Sequence, residues 1–189
     1  MATFSDKPTL LGEKALLRPV RPEQDLPMLR VMINDPDVLR YTSQVYTPEP
    51  PEWDEAMERR VVDWYTTRNE QPDRLDLIVV DRATGRGVGE VVLNEWDAPN
   101  RSCNLRIALG PDGRDRGLGT EAVRLLTDHA LRTLGLNRVS LSVYAFNHRA
   151  RRAYEKAGFQ VEGIRRQVLR HGDTWIDDID MAALAQDWK

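Results

Sequence analysis

The stretch RDRGLGTEA, residues 114–122, is the best guide to the fold of this chain. Its two glycines, Gly117 and Gly119, let the main chain approach a ligand without an obstructing Cβ atom. A helical pattern begins at the same point, and the first four N–H groups of a helix have no partner inside it. Free N–H donors and the positive end of the helix dipole attract phosphate, and Arg114 and Arg116 add two permanent cations. The stretch therefore predicts a pyrophosphate cradle.

Two better-known phosphate loops do not fit these residues. The stretch is not a Walker loop, because it lacks the G-x-x-x-x-G-K-[ST] pattern, and it lacks the three spaced glycines of the dinucleotide fingerprint. A surface turn that leads into a helix is the plain alternative. The stretch alone leaves both interpretations open.

The composition is that of an ordinary globular domain. With 189 residues, 41% hydrophobic and 30% charged, we expect one domain over 1–189 with a core over about 10–185. The net charge of −3 gives no broad attraction to nucleic acid or to an anionic membrane. A single cysteine, no apolar run of about 18 residues and no basic-then-apolar leader favour the cytoplasm.

Apolar periodicity predicts the elements before the cradle. A strand over 15–20 precedes a helix for which Asp25 is the expected N-cap. The proline-rich segment 47–51 is expected to be a stiff connector. Trp53, Met57, Val61 and Trp64 recur at helical spacing and predict an apolar face, as core or as the wall of a cleft. Three strands of an antiparallel meander follow, over 75–81, 88–96 and 103–109.

The cradle opens a helix that we expect to run through Leu134. An alternating strand over 138–143 follows it, so strand, helix and strand form a parallel β-α-β unit. The ligand crevice then lies at the carboxyl end of the strand over 103–109. Asn147 should cap the next helix, and two strands over 160–169 and 174–181 close the chain. The predicted fold class is α/β, one domain with a mixed, mostly antiparallel sheet around a central parallel unit.

Two motifs in this arrangement resemble those of the GCN5-related N-acetyltransferase (GNAT) superfamily. The acetyl-CoA motif [QR]-x-x-G-x-[GA] is met by Arg114, Gly117 and Gly119. The second signature is an asparagine followed by an alanine-bearing helix that ends Tyr-Glu-Lys-x-Gly-Phe, here Asn147 and YEKAGF at 154–159. The resemblance covers roughly residues 10 to 185 and implies a sheet whose strands splay to form an acetyl-CoA crevice.

A branch of the superfamily is also indicated. The opening LRPVRPE with DPDV at 35–38, the GLGTEA run and the closing residues 175–181 resemble ribosomal-protein alanine N-acetyltransferases.

The resemblance assigns roles to individual residues. Main-chain groups on the strand before the cradle should pair with the pantetheine arm like an added strand: Ile107, Ala108 and Leu109. Main-chain N–H groups along the cradle should hold the pyrophosphate: Arg114, Asp115, Arg116, Gly117, Leu118, Gly119 and Thr120. Asn147 should bind the pantetheine arm, and Tyr154 should face the sulfur. A carboxylate inside an anion site is unfavourable, so Asp115 should point to solvent.

The chemistry requires a proton donor and a base. A phenol near pKa 10 can protonate a thiolate whose thiol titrates near 8.5, so Tyr154 is the candidate general acid; a core tyrosine is the alternative. Histone-type relatives carry a glutamate on the strand before the cradle, and this strand has none. Glu95 is therefore the base candidate, with Asp97 beside it and Glu90 further from the crevice. A water chain, an already neutral amine, or merely solvated carboxylates are the alternatives.

The expected function is acetyl transfer from acetyl-CoA to a primary amine by direct attack in a ternary complex. The acceptor is left open among a protein N-terminus, a polyamine, an aminoglycoside and another small amine. An acyl-CoA-binding sensor without catalysis is the alternative on the same scaffold. Phosphoryl transfer has no magnesium-site motif to support it, and the three histidines and one cysteine have no zinc spacing, so no metal is expected. No nucleic-acid or membrane partner is expected, and the chain should be a monomer or a homodimer.

Overall fold

A computed structural model of the chain describes residues 4–42 and 53–189. The predicted connector over 47–51 lies outside these residues. The strands are β1 (Leu10–Leu11), β2 (Ala15–Pro19), β3 (Leu75–Asp81), β4 (Arg86–Asp97), β5 (Ser102–Leu109), β6 (Arg138–Tyr144), β7 (Gln160–His171) and β8 (Thr174–Leu184). The α-helices are α1 (Pro22–Ile33), α2 (Pro36–Tyr41), α3 (Glu55–Thr66), α4 (Leu118–Asp128) and α5 (His148–Ala157). Short 3₁₀ turns lie at Arg68–Glu70 and Pro111–Gly113.

The eight strands form one open sheet in the order β1-β2-β3-β4-β5-β6-β8-β7. Every neighbouring pair is antiparallel except β5 and β6, which are parallel and joined through α4. The predicted α/β class, the mixed and mostly antiparallel sheet and the central parallel unit are confirmed. The parallel pair needs a crossover helix, and α4 supplies it.

Helices cover both faces of the sheet because side chains of β3 and β4 alternate between two cores. Leu77 and Val91 belong to a core that includes Val123 and Leu126 of α4. Ile78, on the opposite face, belongs to a second core with side chains of α1, α2 and α3. The main core, with α4 and α5, defines what we call the coenzyme face, and the second core defines the acceptor face.

The beginning of α4 is fixed by its glycine and by its first turn. Gly117 is the N-cap and has a φ of 81°, a left-handed conformation that a side chain disfavours. The carboxylate of Glu121, one turn later, accepts main-chain N–H groups of residues 13–15 at 2.7–2.9 Å. These bonds join the helix to the start of β2. The helix continues as a π-helical turn over His129–Thr133, so the predicted helical stretch is real but changes its pitch.

The predicted N-cap at Asp25 is wrong. The first helix begins at Pro22, since proline suits the first helical position and lacks the N–H that would go unpaired there. Asp25 is buried inside the helix, where its carboxylate binds the guanidinium of Arg18 at 2.7 and 2.8 Å and accepts the Arg21 N–H at 2.7 Å. Asp25 therefore does not cap the helix; it is the ion-pair partner of Arg18.

The predicted apolar face of the third helix is correct in part. Val61 and Tyr65 are buried, while Trp53 and Met57 are partly buried against the second core. Trp64 is 51% exposed and stays outside the core, where the guanidinium of Arg68 lies over its ring, 3.3 Å from the centroid. No helix of the described residues is long and apolar enough to cross a membrane.

Candidate active site

The two parallel strands at the centre of the sheet separate after three residue pairs. The last pair is Asn104 with Ser140, yet β5 continues to Leu109 and β6 to Tyr144. Beyond Asn104 the edge of β5 that faces β6 has no strand partner. A cavity of about 1130 Å³ opens in this gap. The predicted coenzyme strand, Ile107, Ala108 and Leu109, lines the cavity.

The cradle lies at one end of the cavity. Gly119 sits against β5, where a Cβ atom would come within 3.0 Å of a Leu109 methyl group. Gly117 as N-cap offers no side chain to the first N–H groups of the helix, which leaves them to an external acceptor. Asp115 has a φ of 57° and a side chain that is 74% exposed. Its carboxylate points outward to Arg149 at 3.5 Å, as the anion site requires.

The two cradle arginines are already paired within the protein. Arg114 binds the carboxylates of Asp35 and Asp37, the latter at 3.1 Å, and donates to the Leu109 carbonyl at 3.1 Å. Arg116 binds Asp81 at 2.8 Å. Their charges are therefore largely compensated. The attraction of the cradle for an anion comes mainly from the main chain and the helix dipole.

The fifth helix brings Asn147 and Tyr154 to the same cavity. The Asn147 Oδ1 atom accepts the Ala150 N–H at 3.1 Å, so the predicted cap is confirmed. Tyr154 is buried, and its hydroxyl has no hydrogen-bond partner among the described residues. Burial raises the pKa of Tyr154 to about 12. The phenol is therefore fully protonated at neutral pH and has an O–H to donate.

The structure distinguishes the three carboxylates that are candidates for the general base, because one of them lines the cavity and two do not. Glu95 lines the cavity and has a φ of 54° at an irregularity of the β4–β5 pairing. Such bulges redirect side chains and are frequent near active sites. Asp97 accepts hydrogen bonds from the Asn100 main chain and side chain at 3.0 and 2.8 Å, in a turn. Glu90 accepts the Tyr65 hydroxyl at 2.9 Å, and neither Asp97 nor Glu90 lines the cavity.

The far wall of the cavity comes from β8 and β7, and sequence reasoning did not identify its residues. Asp178 and Asp180 lie on alternate positions of β8, and the guanidinium of Arg165 binds them at 2.6 and 3.0 Å. Burial raises the pKa of Asp178, against the opposing effects of Ser142 and Arg165. The two-residue alternation of acids on a strand was the available signal, since it places both carboxylates on one face.

An aromatic stack closes one side of the cavity. The Phe146 ring lies between Tyr41 and Tyr144, with ring centroids 5.7 and 5.6 Å away. Both tyrosines line the cavity. The stack connects the second helix to the loop after β6, and it was not recognised from sequence because its partners are about one hundred residues apart. Among residues 4–42 and 53–189 no cluster of metal-ligating side chains is found.

Residues 14–160 match the family model described as an acetyltransferase (GNAT) domain. The chain belongs to the GNAT acetyltransferase family. The match covers most of the chain and includes the cradle, the separated strands and the fifth helix. The chain is therefore an acetyl-CoA-dependent N-acetyltransferase, and the predicted family and enzyme class are confirmed.

Related proteins have different acceptors in their names. Spermidine N(1)-acetyltransferase of Escherichia coli (strain K12) is 29% identical over 147 residues, 78% of this chain and 73% of that protein. Mycothiol acetyltransferase of Rhodococcus jostii (strain RHA1) is 31% identical over 175 residues, and the match spans 80% of this chain and 54% of that protein. Spermidine N-acetyltransferase from Vibrio cholerae, crystallised with CoA and spermine, aligns with a TM-score of 0.78 at 22% identity, covering 94% of this chain and 98% of that one. This likeness confirms the fold.

Proposed function

We propose that the chain transfers the acetyl group of acetyl-CoA directly to a primary amine, with Tyr154 as the general acid. The observation that carries the proposal is the gap between β5 and β6. An unpaired strand edge, a helix start suited to a diphosphate and an unpartnered phenol all face one cavity there.

The coenzyme is placed by main-chain groups. The free edge at Ile107, Ala108 and Leu109 offers hydrogen bonds to the amides of the pantetheine arm, as an added strand does. The N–H groups from Arg114 through Thr120 surround the diphosphate. The Oδ1 atom of Asn147 is occupied by its cap, so its amide N–H₂ is the group available to a pantetheine carbonyl. Tyr154 lies two turns later, roughly 10 Å along the axis, at the depth of the sulfur.

The transfer needs no covalent enzyme intermediate. The neutral amine attacks the thioester carbon, the C–N bond forms, and the carbonyl oxygen gains charge that an N–H of the β5 edge stabilises. The C–S bond then breaks, and the thiolate takes the Tyr154 proton. The amine nitrogen loses its proton to Glu95, directly or through water, and solvent returns a proton to the phenol.

The acceptor is proposed to be one of the amines named from sequence: a protein N-terminus, a polyamine, an aminoglycoside or another small amine. The ribosomal-protein alanine branch rests on sequence resemblance, while spermidine is the acceptor in the name of one relative. The cytoplasmic location, the monomeric or homodimeric state and the single domain over 1–189 stay predictions.

The test is turnover of Tyr154→Phe, measured by thiol release from acetyl-CoA over a panel of amines. We expect turnover to fall about 100- to 10,000-fold, the usual contribution of a general acid, with coenzyme affinity nearly unchanged. Glu95→Gln should lower turnover with coenzyme affinity nearly unchanged.

Three results would contradict parts of this proposal. Equal loss of turnover and coenzyme binding in Tyr154→Phe, or no loss, would remove the acid role. Unchanged turnover in Glu95→Gln would assign the base to water or make it unnecessary. Coenzyme binding without thiol release for any amine would favour the non-catalytic sensor.

A further inference from the structure

The acceptor must reach the thioester from the acceptor face of the sheet. The coenzyme face is filled by α4 and α5 and their core. Across the separated strands, Asn104 and Arg106 of β5 and Ser142 of β6 line the cavity. Alternation places Arg106 on the face opposite Leu105, which is buried in the main core. The charged side chains on this face are therefore the ones that an acceptor contacts.

Arg106 is an exposed cation beyond the last β5–β6 pair. Its backbone pairs with Val92 on the other side. Its side chain makes neither a hydrogen bond nor an ion pair with any residue that the structure describes, although its charge lowers the pKa of Glu90 on the neighbouring strand. A guanidinium has five N–H donors in a planar fork that matches a carboxylate.

Other arginines of the same cavity are compensated. The ion pairs are Arg114 with Asp35 and Asp37, Arg138 with Glu162, Arg149 with Asp115, and Arg165 with Asp178 and Asp180. Arg152 and Lys156 form no such pair within the described chain, but they lie on α5, which packs on the coenzyme face. Arg106 is thus a cation without a direct ion pair among the described residues, with Glu90 acting on it only through its charge, and an acceptor meets it on its own face.

The opposite wall has the opposite charge. Asp178 and Asp180 contribute two carboxylates and Arg165 one guanidinium, a net charge of about −1 for ionised groups. An acceptor in the cavity meets a positive group at β5, a negative cluster at β8 and the Glu95 carboxylate at the irregularity of the β4–β5 pairing. This arrangement suits a molecule with a carboxylate at one end and an amine at the other.

We propose that Arg106 binds a carboxylate of the acceptor, and that the acceptor is a small dipolar amine of the amino-acid type rather than a polyamine. The proposal rests on the acetyl transfer described above and narrows its acceptor. A polyamine would bring a second ammonium group toward Arg106, and like charges repel. Bidentate binding by arginine also discriminates strongly between a carboxylate and a neutral amide.

The experiment compares kcat/KM for amino acids and for their carboxamides, with spermidine beside them, in the wild-type chain and in Arg106→Gln. We expect the wild type to prefer acids over the matching amides by about 10- to 100-fold, the value of a hydrogen-bonded ion pair. In Arg106→Gln the preference should disappear, through a higher KM for the acid and an unchanged kcat for the amide. Arg106→Lys should keep part of it.

Arg86→Gln is the matched control, because it removes one exposed charge at the start of the adjacent strand β4, away from the cavity. It should leave the preference intact. Spermidine or peptide N-termini as the best acceptor, or an acid preference that survives Arg106→Gln, would overturn the inference while leaving acetyl transfer in place. Absence of thiol release with every amine would instead reject the proposed function itself.

Discussion

The coenzyme half and the acceptor half of the molecule are built by different means. The coenzyme half consists of β5, α4 and α5, and its core is apolar. The ligand contacts proposed for it are main-chain groups and one phenol. The acceptor half consists of α1, α2 and α3 over the other face, together with the side chains of β3, β4 and β8 on that face of the sheet. There buried charges are frequent and are held in ion pairs.

Buried polar side chains show the contrast. Arg18, Asp25, Arg68, Asp76 and Asp178 are buried, and all lie outside β5, α4 and α5. Asp81, at the end of β3, is also buried and is the one of these charges that pairs with a cradle residue, Arg116. On the fourth helix the buried polar side chain is Thr127, which is uncharged. Main-chain recognition needs only a local sequence with suitable glycines, whereas ion pairs require partners from distant segments. The coenzyme half is therefore recognisable from a short motif, and the acceptor half is not.

The largest effect is expected from breaking a buried ion pair of the acceptor half. Asp25→Ala leaves Arg18 buried without its partner, so the free energy of unfolding should fall by about 3–5 kcal/mol. Chemical denaturation measures it. Glu55→Ala, which removes an exposed partner of Arg59, is the control and should change the value by less than about 1 kcal/mol. Equal effects would remove the contrast between buried and surface pairs.

The second test separates coenzyme binding from stability in the coenzyme half. Thr120→Asp places a carboxylate in the first turn of α4, at the cradle. An acid there stabilises the helix by about 0.3–1 kcal/mol, but it repels a diphosphate, and we expect coenzyme affinity to fall about 10- to 100-fold. Calorimetric titration with coenzyme A and thermal unfolding give the two values. Thr120→Asn is the neutral control, and unchanged affinity in Thr120→Asp would locate the diphosphate elsewhere.

The third test concerns the titration of Glu90 and the pH dependence of stability. Burial, with the nearby Asp76 charge, raises the pKa of Glu90 to about 7, despite the hydrogen bond from Tyr65. The folded state therefore favours the protonated form, so the stabilisation from this group is present below about pH 4.5 and is lost as pH rises to about 7.

Glu90→Gln should consequently be more stable than the wild type at pH 8, by about 3 kcal/mol, and similar to it near pH 4.5. The difference between their unfolding free energies across this pH range is the measurement. If the difference in unfolding free energy does not change with pH, the pKa of Glu90 is the same in the folded and unfolded states. Burial of the Glu90 charge then costs no stability.

Several features of the site were predictable because they depend on neighbours in sequence. The glycines at Gly117 and Gly119, the Asn147 cap and the spacing to Tyr154 follow from helix geometry. The order of strands around the parallel pair followed from periodicity and from the crossover rule. The prediction at Asp25 was wrong because a local rule for caps was applied to a residue whose partner, Arg18, lies on the preceding strand.

The sequence by itself determined the family and the parallel unit, and it located the glycine stretch and the phenol that we propose as the coenzyme site, because each depends on contacts within one helix or one strand-helix turn. Only the tertiary structure decided that the strands part after Asn104, that the cradle arginines are paired with carboxylates, and that Arg106 lines the same cavity as Asp178 and Asp180. Those relations join segments up to about 80 residues apart. Whether two charges compensate each other depends on the distance between them in the folded protein, and the sequence alone does not give that distance.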